Sequence, residues 1–142
     1  IGLHTFNLKV KDGHDNTGTM MQLQIYVYRQ PQLISVLPVE AFSDIEYTAF
    51  LAAEDMYGNK LNDPKSIIID TATFNYYNFS ENTHLFQWTP REEDKGNHEI
   101  IIKLTDDAGF ITYHAHKLSV FANPCVHCDK KHEFVPADTT GN

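Results

Sequence analysis

Leu85-Phe86-Gln87-Trp88-Thr89-Pro90, then Asp94-Lys95-Gly96-Asn97-His98, then Glu99 to Leu104, closed by Asp106-Asp107-Ala108-Gly109, is the stretch that decides the fold. It reads as a strand, a polar loop, a second strand and a turn. Leu85, Gln87 and Thr89 face one way and Phe86 and Trp88 the other, the period of two that marks an extended strand. Pro90 ends the strand because it has no amide hydrogen to donate. Arg91 to Lys95 is a charged, solvated loop with room for a single helical turn. Glu99 to Thr105 and Phe110 to Phe121 form the closing hairpin. The stretch holds the only tryptophan, read here as an anchor of the core.

Working outward, the same alternation recurs. Tyr47, Ala49, Leu51 and Ala53 oppose Glu46, Thr48, Phe50 and Ala52, and Glu54 to Asn59 is a turn. Ala, Leu and Glu also suit a helix, but the aromatic and Thr content and the closing Gly-Asn favour a strand. Leu33 to Val39 is a short strand whose Pro38 suits an edge. Ser66 to Ile69 is β-branched and strand-like, and Phe74 to Phe79 is an aromatic-rich strand. Short strands, Gly, Pro, Asn and Asp turns and no long helix indicate an antiparallel β-sandwich. About seven strands between Leu33 and Phe121 is the immunoglobulin-like number.

The chain opens on a second hairpin. Phe6, Leu8 and Val10 alternate with Asn7, Lys9 and Lys11. Asp12 to Gly18 is turn chemistry. Met21, Leu23, Ile25 and Val27 then alternate with Gln22, Gln24 and Tyr26. Gly2 to Asp12 aligns with Gly96 to Asp106 at one fixed offset, matching the Gly, the His, the Lys and the Asp in place. A tandem arrangement follows. Residues 1–29 are the last hairpin of one domain, 30–122 a complete domain, and 123–142 a polar tail or the start of another module. The first residues read as mid-domain sequence, so the chain is expected to be a piece of something longer.

The chain has 142 residues, 42% hydrophobic and 21% charged, with a formal net charge of −8. A packed core is affordable, and global disorder is excluded. Negative charge without a basic cluster argues against nucleic acid as a partner. There is no apolar run of membrane-spanning length, so direct membrane insertion is not expected.

Phe86-Gln87-Trp88-Thr89-Pro90, the acidic loop ending Asp94-Lys95-Gly96, the alternating strand and Thr105-Asp106-Asp107-Ala108-Gly109 resemble the closing half of a cadherin-like or bacterial immunoglobulin-like tandem repeat. Such repeats occur in dystroglycan and in many bacterial surface proteins. Tyr47 to Ala53 followed by Glu54-Asp55-Met56-Tyr57-Gly58-Asn59-Lys60-Leu61 resembles the front half. The resemblance covers about residues 31–122. It implies a non-catalytic extracellular or cell-surface module, a structural spacer or adhesion domain. Its partners would be neighbouring repeats and a surface protein or glycan. The alternative is a carbohydrate-binding accessory module of a larger secreted enzyme.

Three clusters could carry chemistry. Acidic groups gather at turns, and calcium takes six to eight hard oxygens. Asp12, Asp15, Asp106 and Asp107 are the calcium candidates, against the plainer reading that they cap turns. No Asp-x-Asn-Asp-Asn linker or Leu-Asp-Arg-Glu is present. Cys125 and Cys128 with His132 have thiolates and an imidazole at a spacing that could hold zinc, with His127 or a group elsewhere completing the set. A local Cys125–Cys128 disulfide is the favoured reading, and the strand-to-helix setting of a redox Cys-x-x-Cys is missing. Phe74, Tyr76, Tyr77 and Phe79 could stack on sugar rings or fill the core. Asn78-Phe79-Ser80 fits the glycosylation acceptor pattern, which matters in a eukaryotic secreted protein. The eight histidines are scattered, and no nucleophile elbow or zincin motif accompanies them. No catalytic residue and no cofactor is expected.

Overall fold

The computed structural model describes residues 2–9, 13, 18 and 20–124. The described residues form eleven strands and one 3-10 turn, an all-β arrangement. The strands are β1 (Gly2–Lys9), β2 (Met20–Val27), β3 (Gln32–Leu33), β4 (Glu40–Phe42), β5 (Tyr47–Phe50), β6 (Ala53–Glu54), β7 (Ile67–Ala72), β8 (Asn78–Ser80), β9 (Leu85–Trp88), β10 (Gly96–Thr105) and β11 (Ile111–Phe121).

Two sheets make the sandwich. One has the order β4-β11-β10-β7, with β4 parallel to β11 and the other pairs antiparallel. The other has the order β5-β9-β8, extended by β3 pairing with β6. β6 is the continuation of β5 past Leu51 and Ala52. The inner faces meet in one apolar cluster. Tyr47, Ala49, Leu51, Phe86 and Trp88 come from one layer, and Ile67, Ile100, Ile102, Leu104, Leu118 and Val120 from the other. Alternation explains who goes in: Phe86 and Trp88 are buried, while Leu85 and Gln87 between them are half-exposed.

Aromatic packing organises the cluster. Phe74 lies flat on Trp88, ring centroids 3.7 Å apart at 13°. Tyr77 stacks on Phe86 at 5.4 Å, and Tyr47 meets Phe86 edge-on. Such pairs add to the area they bury.

Three strands differ from the sequence expectation. Only Gln32–Leu33 and Glu40–Phe42 of the front segment pair, and they pair in different sheets, so the chain crosses between layers at Pro38. Phe74 to Tyr77 is not extended. Tyr76 has φ of +64°, which breaks the run and leaves Asn78–Ser80 as the strand. The β7 strand runs on to Ala72, with its register against β10 shifting between Ile101 and Ile102, a bulge of the kind that bends a strand.

The β1–β2 hairpin is a two-stranded sheet of its own. Every residue of β2, and all of β1 but Gly2, is exposed.

Candidate functional site

Asp106 is buried, and its place in the β10–β11 turn accounts for it. Its carboxylate accepts a hydrogen bond from the Phe110 amide at 2.8 Å. Its own amide donates to the Phe110 carbonyl, and its carbonyl accepts from the Gly109 amide. Asp107 beside it is exposed. Asp12 and Asp15, the other calcium candidates, lie outside the described residues, as do Cys125, Cys128 and His132. Among the described residues no three His, Cys, Asp or Glu side chains gather as a metal-holding group.

Asp55 caps the Glu54–Asn59 turn in the same way. Oδ1 accepts from the Tyr57 and Asn59 amides, each at 2.8 Å, and Oδ2 accepts from the Asn59 side chain. Desolvation raises its pKa, but the bonds from Asn59, Tyr57 and Gly58 outweigh it and hold the carboxyl below its ordinary value.

Half-buried His98 and buried His116 make structural hydrogen bonds. His98 donates from Nε2 to the Asp94 carbonyl at 2.6 Å, and Thr73 lies 3.1 Å from Nδ1. Since a carbonyl only accepts, Nε2 carries the proton and Nδ1 accepts from the Thr73 hydroxyl. This ties the 3-10 turn (Glu92–Asp94) to the segment following β7. His116 donates from Nε2 to the Pro38 carbonyl, which also accepts from the Tyr47 hydroxyl, each at 2.8 Å. Burial pushes the Tyr47 hydroxyl up to about 12, because a phenolate there would lose its water. His114 is exposed.

The four aromatics of residues 74–79 separate. Phe74 is core, Tyr77 lies on Phe86, and Phe79 is half-buried beside His84. Of the four, Tyr76 is the exposed one, 77% exposed, with the Arg91 guanidinium 4.2 Å from its ring centre. Its positive φ turns the ring out while Phe74 and Tyr77 turn in. Tyr76 borders a shallow cleft of about 330 Å3 that also takes in Asn78, Gln87, Arg91 and Glu46. Gln87 donates to Glu46 at 2.8 Å across its floor. A broad depression of about 730 Å3 near His98 is lined by polar groups that bond one another, Thr73 to His98 and Ser119 to Asn97.

Sequence reasoning expected the hairpin to pack on something, the following sandwich included, but named no residue of the junction. The Tyr26 and Tyr57 hydroxyls are 3.4 Å apart. Tyr28 packs on Phe110 with ring centres at 4.3 Å. Arg29 reaches the Met56 carbonyl at 3.4 Å and the Glu54 carboxylate at 4.0 Å. The signal was present: two tyrosines and an arginine crowd the end of an exposed strand, and Tyr and Arg are the residues that contact surfaces favour.

The fold and this geometry define a β-sandwich module with an appended hairpin. Neither a protein-family model nor a curated protein matches the chain. Among solved structures it is similar to an endo-fucoidan hydrolase of glycoside hydrolase family 107, with 18% identity and a TM-score of 0.53 over 86% of this chain. It is also similar to the SrpA adhesin of Streptococcus sanguinis, with 12% identity and a TM-score of 0.46 over 80% of this chain. The chain spans 19% of the hydrolase and 64% of the adhesin. The likeness to the hydrolase is one of fold.

Proposed function

We propose that the chain is a non-catalytic repeat module of a larger extracellular or cell-surface protein, a cadherin-like or immunoglobulin-like unit that spaces and orients its neighbours. The junction carries this reading. Only Tyr28, Arg29, Gln30 and Pro31 separate β2 from β3, and Tyr26, Tyr28 and Arg29 are each held against turns of the sandwich. A short, pinned connection transmits orientation, whereas a long flexible linker does not. The direction of the chain supports the same role. It reaches the sandwich beside Phe110, at the end of the β10–β11 hairpin where Thr105 faces Ile111. It leaves at Phe121, next to the Gly96–Val120 pair. Ten residues of β10 lie between those ends, about 30 Å of strand. A unit entered at one end and left at the other extends an array along its length.

Pulsed electron resonance between spin labels tests this, with one label on the hairpin (Gln24→Cys) and one on the sandwich (Thr71→Cys) in a Cys125→Ser, Cys128→Ser background. The expected result is one narrow distance that broadens when Tyr28 and Arg29 are both changed to Ala. A broad distribution with the junction intact refutes the spacer role. Tyr76 and its cleft favour a second reading, a carbohydrate-binding accessory module, because one exposed ring beside paired amide and carboxylate groups suits a sugar.

A further inference from the structure

The unexplained feature of the molecule is the apolar face of the β1–β2 hairpin. Phe6, Leu8, Leu23, Ile25 and Val27 lie on it, each between 42% and 49% exposed. Directly opposed residues share a face, and Phe6 opposes Leu23 as Gly2 opposes Val27. A two-stranded ribbon with one bare apolar face is marginal in water.

The same molecule shows what covers such a face. Gly96 opposes Val120 and His98 opposes Leu118 in β10–β11, just as Gly2 opposes Val27 and His4 opposes Ile25 in β1–β2. Gly2 and Gly96 both have positive φ, 103° and 127°, a backbone state that favours glycine. The two hairpins are therefore copies in register as well as in sequence. Phe6 and Leu8 correspond to Ile100 and Ile102, which are 2% and 0% exposed. Ile25 and Val27 correspond to Leu118 and Val120, each 3% exposed. In β10–β11 the cover is the opposite sheet, led by Tyr47, Phe86 and Trp88. The edges agree with the face. β10 has a second partner in β7 and β11 has one in β4, whereas β1 and β2 pair only with each other among the described residues.

We propose that β1–β2 is the closing hairpin of a preceding β-sandwich, and that the segment of the same polypeptide leading into Gly2 supplies the other strands. That segment is the equivalent of β4 to β9. It lays an apolar sheet on Phe6, Leu8, Ile25 and Val27. It pairs with the free edges of β1 and β2. A second copy of this chain, packed face to face, would cover the apolar residues and leave those edges bare, so it fits less well. The inference rests on the array reading of the function but addresses a different surface from the junction.

Hydrogen exchange read by mass spectrometry tests it, on the chain of 142 residues and on the polypeptide extended upstream by about one domain, on the order of 100 residues. Peptides covering 3–9 and 20–27 should exchange at least about 100-fold more slowly in the extended protein, approaching β10 and β11. Equal, fast exchange in both proteins overturns the proposal. So does equal protection in both that disappears on dilution, which marks a dimer of this chain. Leu8→Asp is the control variant. It should abolish the added protection and leave exchange in 96–121 unchanged, and retained protection counts against the assignment. Loss of the spin-label result with retained protection removes the spacer role alone; the reverse removes only the preceding sandwich.

Discussion

Truncating two equivalent residues should have unequal consequences in this chain. Ile102 and Leu8 occupy corresponding positions in the two hairpins, but Ile102 is fully buried and Leu8 is 47% exposed. Ile102→Ala removes buried carbons and leaves a cavity among Tyr47, Phe86 and Ile100, which line the same core. Such truncations cost about 2–5 kcal/mol. Leu8→Ala removes a side chain that is already half in water and has no opposing sheet. Changes at surfaces of that kind stay within about 0.5 kcal/mol. Trp88 is the single tryptophan and is 2% exposed in the sandwich core, so its fluorescence reports unfolding of the sandwich. In urea, with a slope of about 1–3 kcal/mol per molar, Ile102→Ala should lower the Trp88 midpoint by about 1 M or more. Leu8→Ala should leave it where it is. If Ile102→Ala does not fold, Ile102→Val, which costs about 0.5–1.5 kcal/mol, keeps the comparison. A Leu8→Ala midpoint lowered as far as that of Ile102→Ala refutes the reasoning, because the hairpin would then belong to the sandwich core.

Two further outcomes follow from the site. Tyr47 has its hydroxyl pushed up to about 12 by burial, so the folded state holds that proton more tightly than the unfolded chain, whose tyrosines titrate near pH 10. The stability it contributes is complete below about pH 10 and is lost as pH rises through about 12, about 3 kcal/mol in all and about 1.4 by pH 11. Urea midpoints measured from pH 9 to 11 should fall accordingly and flatten in Tyr47→Phe; an unchanged slope in that variant contradicts the assignment. For the carbohydrate reading, a glycan array should lose its signal with Tyr76→Ala while the melting temperature holds, whereas Tyr77→Ala should lower melting, since Tyr77 stacks on Phe86. Signal retained by Tyr76→Ala removes the cleft from consideration.

Much of the fold was legible because one physical rule governs it. Alternation put Tyr47, Ala49, Leu51, Phe86 and Trp88 inside, and all five are buried. The rule fails where the backbone leaves the extended state. Phe74 and Tyr77 both pack inward, three residues apart, which a period of two forbids. The positive φ of Tyr76 makes it possible, and nothing in the residue type of a tyrosine announces that conformation. The crossing at Pro38 was also hidden, since a short apolar run does not say which sheet it joins. Of the candidate site, the acidic turns could be found but not interpreted. An aspartate that caps a turn and one that waits for a cation have the same letter, and what the structure adds is the capping bond from the Phe110 amide to Asp106. The aromatic platform reduces to Tyr76 for the same reason, because exposure is a tertiary property.

The internal copy also gives the junction a generality that a single contact lacks. Along the second strand of each hairpin, Val27 corresponds to Val120, so Tyr28 corresponds to Phe121. Tyr28 packs on Phe110, the residue just before β11 of the sandwich. Phe121 ends its own strand, 47% exposed, and among the described residues the half-buried Phe42 ring lies 6.0 Å from it. A large ring left in water at the end of a closing strand is costly unless a neighbour takes it up. In the one junction described, the neighbour that does so is the turn of an adjoining sandwich. On the repeat reading proposed above, the two aromatics would be equivalent end rings. On that proposal the determinants of spacing are the end rings and turns, and the cleft lined by Tyr76, Asn78 and Gln87 shares no residue with them.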